Sequence, residues 1–331
     1  MTSPLRQVLV TGASGFLGGH LVRTLAAGGL RIIAHGRTAS RLDFGPSVRA
    51  CRGELADLTR LTEAAIGCDA VVHCAALSAP WGDPQEFMAT NVTGTFNVIA
   101  AARAAGVRRL VHISSPAVVF DGRDQHRVGD DAPYPARHSS HYARTKQLAE
   151  QLVRAAGASM ETVILRPKAI YGEGDRALVP RLLRAARDGR LPQIGDGQNV
   201  VDVTHVDDVV QAIECALTTG EGVGGTFLIT GGEHVPLWAM IRELLEGVGL
   251  RYPARRIALP VALTAAAAME AVAAITRREP TLTRYSALIL ARTQTYDIAR
   301  ARSLLGYAPR VTSSAGVTRT IDALRRDGTA A

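Results

Sequence analysis

The chain is sparing with lysine: of its 38 basic side chains only Lys146 and Lys168 are lysines. One of them follows Tyr142 by four residues, within SSHYARTKQLAEQ (139–151). Four residues is about one helical turn, so a helix would carry the phenol and the ammonium on one face. A nearby cation favours tyrosinate and draws a phenol, with an ordinary pKa of about 10, toward neutral pH. Such a pair is an acid–base catalyst for a carbinol or carbonyl oxygen. Ser114 and Ser115, in HISSPAVVF, supply hydroxyls that would orient and polarise that oxygen.

For these groups to meet, the elements that carry them must converge. Short apolar runs at 7–12, 30–37, 47–55, 69–76, 109–115 and 161–167 read as buried strands. Helical patterns at 16–29, 58–67, 84–106 and 139–158 fall between them. Strands alternating with helices predict an α/β fold, a doubly wound parallel sheet with helices on both faces. Ser114 and Ser115 end the fifth strand, and Tyr142 opens the next helix. Ligands of such sheets bind at the carboxyl ends of strands. After residue 171 loops such as YGEGDR and IGDGQN separate the elements. We therefore expect a Rossmann domain over 1–171 and a smaller, mixed substrate lobe over 172–331, with 200–217 returning to the first domain.

TGASGFLGGHL places Gly12, Gly15 and Gly18 between the first strand and the first helix. The chain must turn sharply there, let its backbone approach a phosphate, and pack the helix closely on the sheet. Glycine serves all three needs, and the helix N-terminus then faces a pyrophosphate. In its strand–turn–helix context the triplet predicts dinucleotide binding. The second strand ends in Gly36 and Arg37 rather than in a carboxylate, and Arg41 follows. A guanidinium there suits a 2′-phosphate, so NADP(H) is favoured over NAD(H).

The net charge of +8 raises nucleic acid as a partner. The arginines, however, are dispersed, and only 5% of residues are aromatic, so no stacking platform is expected. Cys51, Cys68, Cys74 and Cys215 have no metal-ligand spacing, and His138 and His141 lack a third ligand, so no metal is expected. Reduced cysteines and a start that leads straight into a strand point to a cytoplasmic protein. ALPVALTAAAAMEAVAAI (258–275) is short for a bilayer span and carries Glu270; we read it as a packed helix, with peripheral membrane contact as the alternative.

The ordered motifs TGASGFLG, HCAA, NVTGTFNV, ISSPAVVF, YARTK, LRPKAIYGEGD, THVDDVV and YDIARARSLLGYAP resemble those of extended short-chain dehydrogenases/reductases over nearly the whole chain. AALSAPWGDP and VPRLLRAARDGRLPQIGDGQNVVDVTHVDDVV look most like the branch of 3β-hydroxysteroid dehydrogenases and 2-alkyl-3-oxoalkanoate reductases. The resemblance implies Ser115, with Ser114 as second candidate, beside Tyr142 and Lys146 in a catalytic triad. It implies Gly12, Ser14, Gly15, Phe16, Leu17 and Gly18 at the pyrophosphate. Ala75, Ala76, Asn91, Pro167 and Ile170 would border the ribose and nicotinamide. Glu54, with Leu55 beside it, stands where the family usually has aspartate near adenine. The resemblance also implies a homodimer paired through the helices at 84–106 and 140–158.

The leading expectation is an NADP-dependent ketoreductase or secondary-alcohol dehydrogenase acting on a hydrophobic small molecule. Trp81, Val119 and Phe120 would form an apolar wall. Lys168 would meet an acidic substrate group or a cofactor phosphate, or else be solvated or salt-bridged. Two alternatives stand beside it. One is a nucleotide-sugar epimerase or dehydratase with tightly bound NAD, to which Arg181, Arg184, Arg187 and Arg190 could offer charge. The other is a non-catalytic cofactor-sensing protein.

Overall fold

The computed structural model describes residues 5–41, 44–252 and 255–328. Seven parallel strands form the main sheet: β1 (Gln7–Thr11), β2 (Arg31–Gly36), β3 (Val48–Arg52), β4 (Ala70–His73), β5 (Arg109–Ile113), β6 (Glu161–Pro167) and β7 (Thr226–Ile229). Their order is β7-β6-β5-β4-β1-β2-β3. The chain thus reverses direction between β1 and β4, where such sheets open a crevice. The last strand, β7, extends the sheet from far along the chain, which the sequence pattern did not reveal.

Side chains of successive residues leave a strand on opposite faces. Val8 and Val10 enter one core with Leu21, Val22 and Leu25 of α1 (Phe16–Ala27). Leu9, with Val71 and Leu110, enters the other core, with Leu61 of α2 (Leu58–Ala65) and Val98 of α3 (Gly94–Ala104). Val153 of α4 (His141–Ala156) packs into that second core. Both faces are dry, which explains why the strands read as continuous apolar runs.

The helical pattern over 84–106 proves to be three pieces. One turn (Pro84–Phe87) leads into a π-helical stretch (Met88–Thr93), and α3 follows. The widened turn contains the buried Asn91, whose side chain reaches out of the helix to Leu77 and Thr145.

Beyond residue 171 the chain adds α5 (Leu178–Arg187), α6 (Val206–Thr218), α7 (Leu237–Gly247), α8 (Leu259–Thr276), α9 (Arg284–Ala291) and α10 (Ser313–Arg326). Of these, α6 packs on α1, β5 and β6. A small sheet runs Val235–Pro236, Val200–Val201, Gln294–Tyr296, Gln125–Val128, so one of its four strands comes from before residue 171 and three from after it. The long apolar segment departs from expectation. Only 17% of α8 is buried, so it is not a packed core helix.

α4 is fixed to β6 by a buried ion pair. Arg166 donates to Glu150 through Nε (2.9 Å) and Nη2 (2.7 Å), with both residues 1% exposed or less. Burial alone would push the Glu150 carboxyl up. Arg166, Ser114 and Tyr134 outweigh it and hold the carboxyl below its ordinary value. Removing one member of such a pair leaves an uncompensated charge. Glu150→Leu or Arg166→Met is expected to cost about 3–5 kcal/mol, whereas the double variant should cost clearly less. Urea denaturation of the four proteins measures the difference.

Candidate active site

The crevice at the carboxyl ends of β1 and β4 begins with the glycine turn. Gly12 has φ +71°, and a Cβ there would lie 2.7 Å from the backbone nitrogen of Ala75. A Cβ on Gly18 would lie 2.2 Å from the Gly12 carbonyl oxygen. Both positions exclude any side chain: at Gly12 the backbone after β4 crosses close by, and at Gly18 the incoming helix rests on the turn itself. Gly15 caps α1 without a side-chain hydrogen bond, and no acidic residue occupies its first turn. The first N–H groups of α1 are left to a ligand, and the helix dipole favours an anion there. Ser14, Phe16 and Leu17 flank that end, half-buried, and the partly exposed Ala75 and Ala76 follow β4 across the crevice. The cradle fits a dinucleotide pyrophosphate.

Arg37 follows β2, exposed and without an ion pair among the described residues. The side chain of Arg41 lies outside the described residues. Glu54 is exposed and Leu55 half-buried in the turn after β3.

Tyr142 and Lys146 lie on α4, which Ser140 caps by accepting from the Ala143 N–H at 3.2 Å. The hydroxyls of Ser115 and Ser78 lie beside the Tyr142 phenol and act to lower its pKa. Ser115 also accepts from the Ala117 N–H (3.2 Å), which fixes it at the start of a short 3-10 turn, Pro116–Val119. Three hydroxyls thus converge on one point beyond β5.

Lys146 is 1% exposed. Its ammonium donates to the Ile113 carbonyl (2.6 Å) and to His112 Nε2 (3.1 Å). Burial lowers its pKa to about 8, although Glu150, one turn further along α4, and Cys74 favour the charge. The expected electrostatic effect on the phenol must be corrected. Burial raises the Tyr142 pKa, and the two serine hydroxyls oppose that rise. The ammonium is engaged with the end of β5 rather than with the phenol, so Tyr142 is protonated at neutral pH.

Other expectations are also corrected. Ser114 is buried, and its hydroxyl donates to Glu150 at 2.5 Å, so it locks α4 to β5 instead of facing a substrate. Asn91 accepts from the Leu77 N–H (2.7 Å) and donates to Thr145 (3.0 Å); its amide holds the loop after β4 and is not free for a ligand. Val119 and Phe120 are 3% and 0% exposed and belong to the core rather than to an apolar wall. Lys168 is buried and donates to Gln294 Oε1 at 2.6 Å, neither solvated nor paired with a carboxylate in the salt-bridge sense. Burial brings its pKa to about 8 despite Asp202. Trp81 is half-buried in the loop after β4, Pro167 is buried at the end of β6, and Ile170 is half-buried.

Sequence reasoning missed several residues. Ser78 lies in a loop whose path the sequence does not give. Tyr285, on α9, is buried near Tyr142, and burial first and Tyr142 second push its phenol up. A row of histidines was legible in principle, since AHG, VHC and VHI each place one near a strand end. His35 and His73 both pair in register with Thr11, and His73 with His112. Thr11 Oγ1 meets His73 Nδ1 at 2.7 Å, and Thr95 Oγ1 meets Nε2 at 3.0 Å. Burial lowers His73 to about 3 and His112 well below its ordinary value, so this layer is uncharged. A neutral His112 can therefore accept from Lys146.

A turn built for a pyrophosphate, beside a phenol and a buried ammonium, is the site of a dinucleotide-dependent dehydrogenase or epimerase. The model of the NAD dependent epimerase/dehydratase family matches residues 8–229. The chain belongs to that family. It is 38% identical over 324 residues to a 2-alkyl-3-oxoalkanoate reductase of Stenotrophomonas maltophilia, covering 95% of this chain and 98% of that one. It is 35% identical to 4-hydroxy-2-methyl-3-oxo-4-farnesyl-3,4-dihydroquinoline-1-oxide ketoreductase of Stigmatella aurantiaca, over 98% and 97% of the two chains. Among solved structures it is similar to DesIV, a dTDP-glucose 4,6-dehydratase from Streptomyces venezuelae with NAD bound, with TM-score 0.78, 26% identity and 98% of each chain covered.

The tightness of the glycine turn gives a direct test. Gly18→Ala forces the helix off the turn, and should weaken dinucleotide binding by about a hundredfold, roughly 2–3 kcal/mol. Fluorescence titration with NADPH and NADH measures this, with circular dichroism to establish that the sheet persists.

Proposed function

We propose that the protein is an NADP-dependent ketoreductase that reduces a hydrophobic 3-oxo substrate to the alcohol. The protonated Tyr142, with the hydroxyls of Ser115 and Ser78 beside it beyond β5 and the glycine turn across the crevice, is the observation that carries this reading. A nicotinamide dinucleotide, held by the glycine turn and the start of α1, would supply the hydride. The ketone oxygen accepts hydrogen bonds from Ser115 and Ser78, which polarise the carbonyl. As charge develops on that oxygen, Tyr142 transfers its proton to it. His112 and the Ile113 carbonyl hold the Lys146 ammonium one helical turn from Tyr142, where its charge would be available to the bound dinucleotide rather than to the phenol.

Arg37 supports NADP over NAD, because an exposed guanidinium after β2, without an ion pair among the described residues, suits a 2′-phosphate. An apolar cavity of about 120 Å³ supports the hydrophobic substrate. It lies among α5, α7, α9 and α10, lined by Leu182, Met240, Ile241, Leu290 and Val317, with Lys168 at its edge. The helix α9 supplies both Leu290 and Tyr285, and so borders the cavity and Tyr142 together. The basic residues on and just after α5 are less suited to a nucleotide sugar. Arg181, Arg184, Arg187 and Arg190 are all exposed, and Arg181 and Arg190 pair with Glu279 and Asp188. A homodimer through α3 and α4 belongs to the same reading, supported by Phe96, 56% exposed on α3.

The assay is oxidation of NADPH and of NADH with 2-alkyl-3-oxoalkanoates, steroid ketones and UDP-sugars. NADPH should be consumed with a hydrophobic ketone, and Arg37→Asp should reverse the cofactor preference. Tyr142→Phe should lower kcat by about 10²–10⁴ with little change in cofactor affinity. Conversion of a UDP-sugar with no net cofactor consumption would sink the reading.

A further inference from the structure

α8 is apolar on every side, with mean hydropathy 1.7, yet most of it is uncovered. Ala262 packs with Ile194 and Ala287 in a small core, and Ala266 and Ala273 are also buried. On the outward side Val261, Met269, Val272 and Ile275 are 61%, 40%, 59% and 85% exposed. An apolar surface of this extent is unusual on a protein that meets only water. Its one charged residue is neutralised: Glu270 accepts from the Arg284 backbone N–H (2.8 Å) and from its Nε (2.6 Å).

The charge at the helix ends indicates what covers it. Arg255 and Arg256 precede α8, Arg277 and Arg278 follow it, and all four are exposed. Among the described residues none of the four forms an ion pair. A second copy is disfavoured by this arrangement. Two α8 helices packed antiparallel about a two-fold axis would bring the arginines of one beside those of the other. Spanning a bilayer is excluded by geometry, since α8 packs along α9 and the body of the protein. What fits a basic-ended, apolar-faced helix lying flat is the boundary between headgroups and acyl chains of an anionic membrane.

We propose that α8 docks the protein on a lipid surface bearing anionic headgroups. Val261, Met269, Val272 and Ile275 enter the acyl boundary, and the two arginine pairs meet the headgroups. This goes beyond the proposed reductase activity and stands whether or not that reading holds. If both hold, the dock lies against α9, the helix that borders Tyr142 and the apolar cavity, so an apolar substrate could enter from the membrane side.

The test is co-sedimentation of the full chain with vesicles of phosphatidylcholine, with and without phosphatidylglycerol, and needs no substrate. The protein should bind the anionic vesicles and stay in solution with the neutral ones, with binding weakened by salt. Arg277→Glu with Arg278→Glu, and Val272→Asp with Ile275→Asp, should each reduce binding about tenfold or more while NADPH binding is kept. Hydrogen exchange on the unmodified protein checks the same face, and residues 259–276 should gain protection on anionic vesicles. Failure to bind, or binding without protection of this helix, would overturn the proposal. So would a dimer in light scattering that Val272→Asp with Ile275→Asp dissociates, because the face would then belong to a second copy.

Discussion

A lysine ammonium cannot be taken out of water unless the fold surrounds it with acceptors and opposing charge. Lys146 is that lysine, and much of the first lobe is organised around it. The end of β5 supplies two acceptors, the Ile113 carbonyl and His112 Nε2. The next turn of α4 supplies Glu150, which is itself buried and so needs its own partners. Those come from β6 (Arg166), from the end of β5 (Ser114), and from the loop before α4 (Tyr134). Each requirement passes to another element until β5, β6 and α4 are tied together. Buried ion pairs are weak sources of net stability. Here the pair fixes one register of α4 against the sheet, and thereby where Tyr142 stands.

Fixing α4 has a chemical consequence. Tyr142 precedes Lys146 by a turn, and Glu150 follows it by a turn, so the three share one stripe of the helix. The phenol reaches past β5 to Ser115 and Ser78, while the ammonium is held back at the strand end. The two groups do not neutralise one another in this arrangement. The phenol keeps its proton, and the ammonium keeps its acceptors at the strand end. The neutral histidine layer completes the design, because a charged His112 would repel Lys146 instead of accepting from it.

How much of this was legible depended on whether the signal was local. The glycine turn was readable because its glycines fall within seven residues; the clash at Gly18 is local, whereas the one at Gly12 comes from Ala75, which the motif does not show. Tyr142 and Lys146 were readable from helical spacing alone. The pKa of the phenol was not, since spacing says that two groups share a face but not which acceptors claim the ammonium. Ser78, Arg166 and Tyr285 arrive from distant segments, and nothing near them in the chain marks them. The two adjacent serines could not be ranked by composition; packing gives Ser114 to Glu150 and Ser115 to Tyr142. The π-helical turn at Asn91 was hidden because periodicity on either side reads as one helix. The apolar pattern of α8 gave its length and character, but a sequence does not say whether an apolar face is covered.

Single-turnover hydride transfer from NADPH to a 2-alkyl-3-oxoalkanoate, followed across pH, tests the central claim most directly. Reduction needs Tyr142 protonated and Lys146 charged. Lys146 loses its charge near pH 8, below the raised pKa of the phenol. The rate constant should be level around neutrality and fall as pH rises through about 8. In Tyr142→Phe it should be low throughout. A rate that climbs with pH over this range would mean that tyrosinate is the acting form, and would contradict the account.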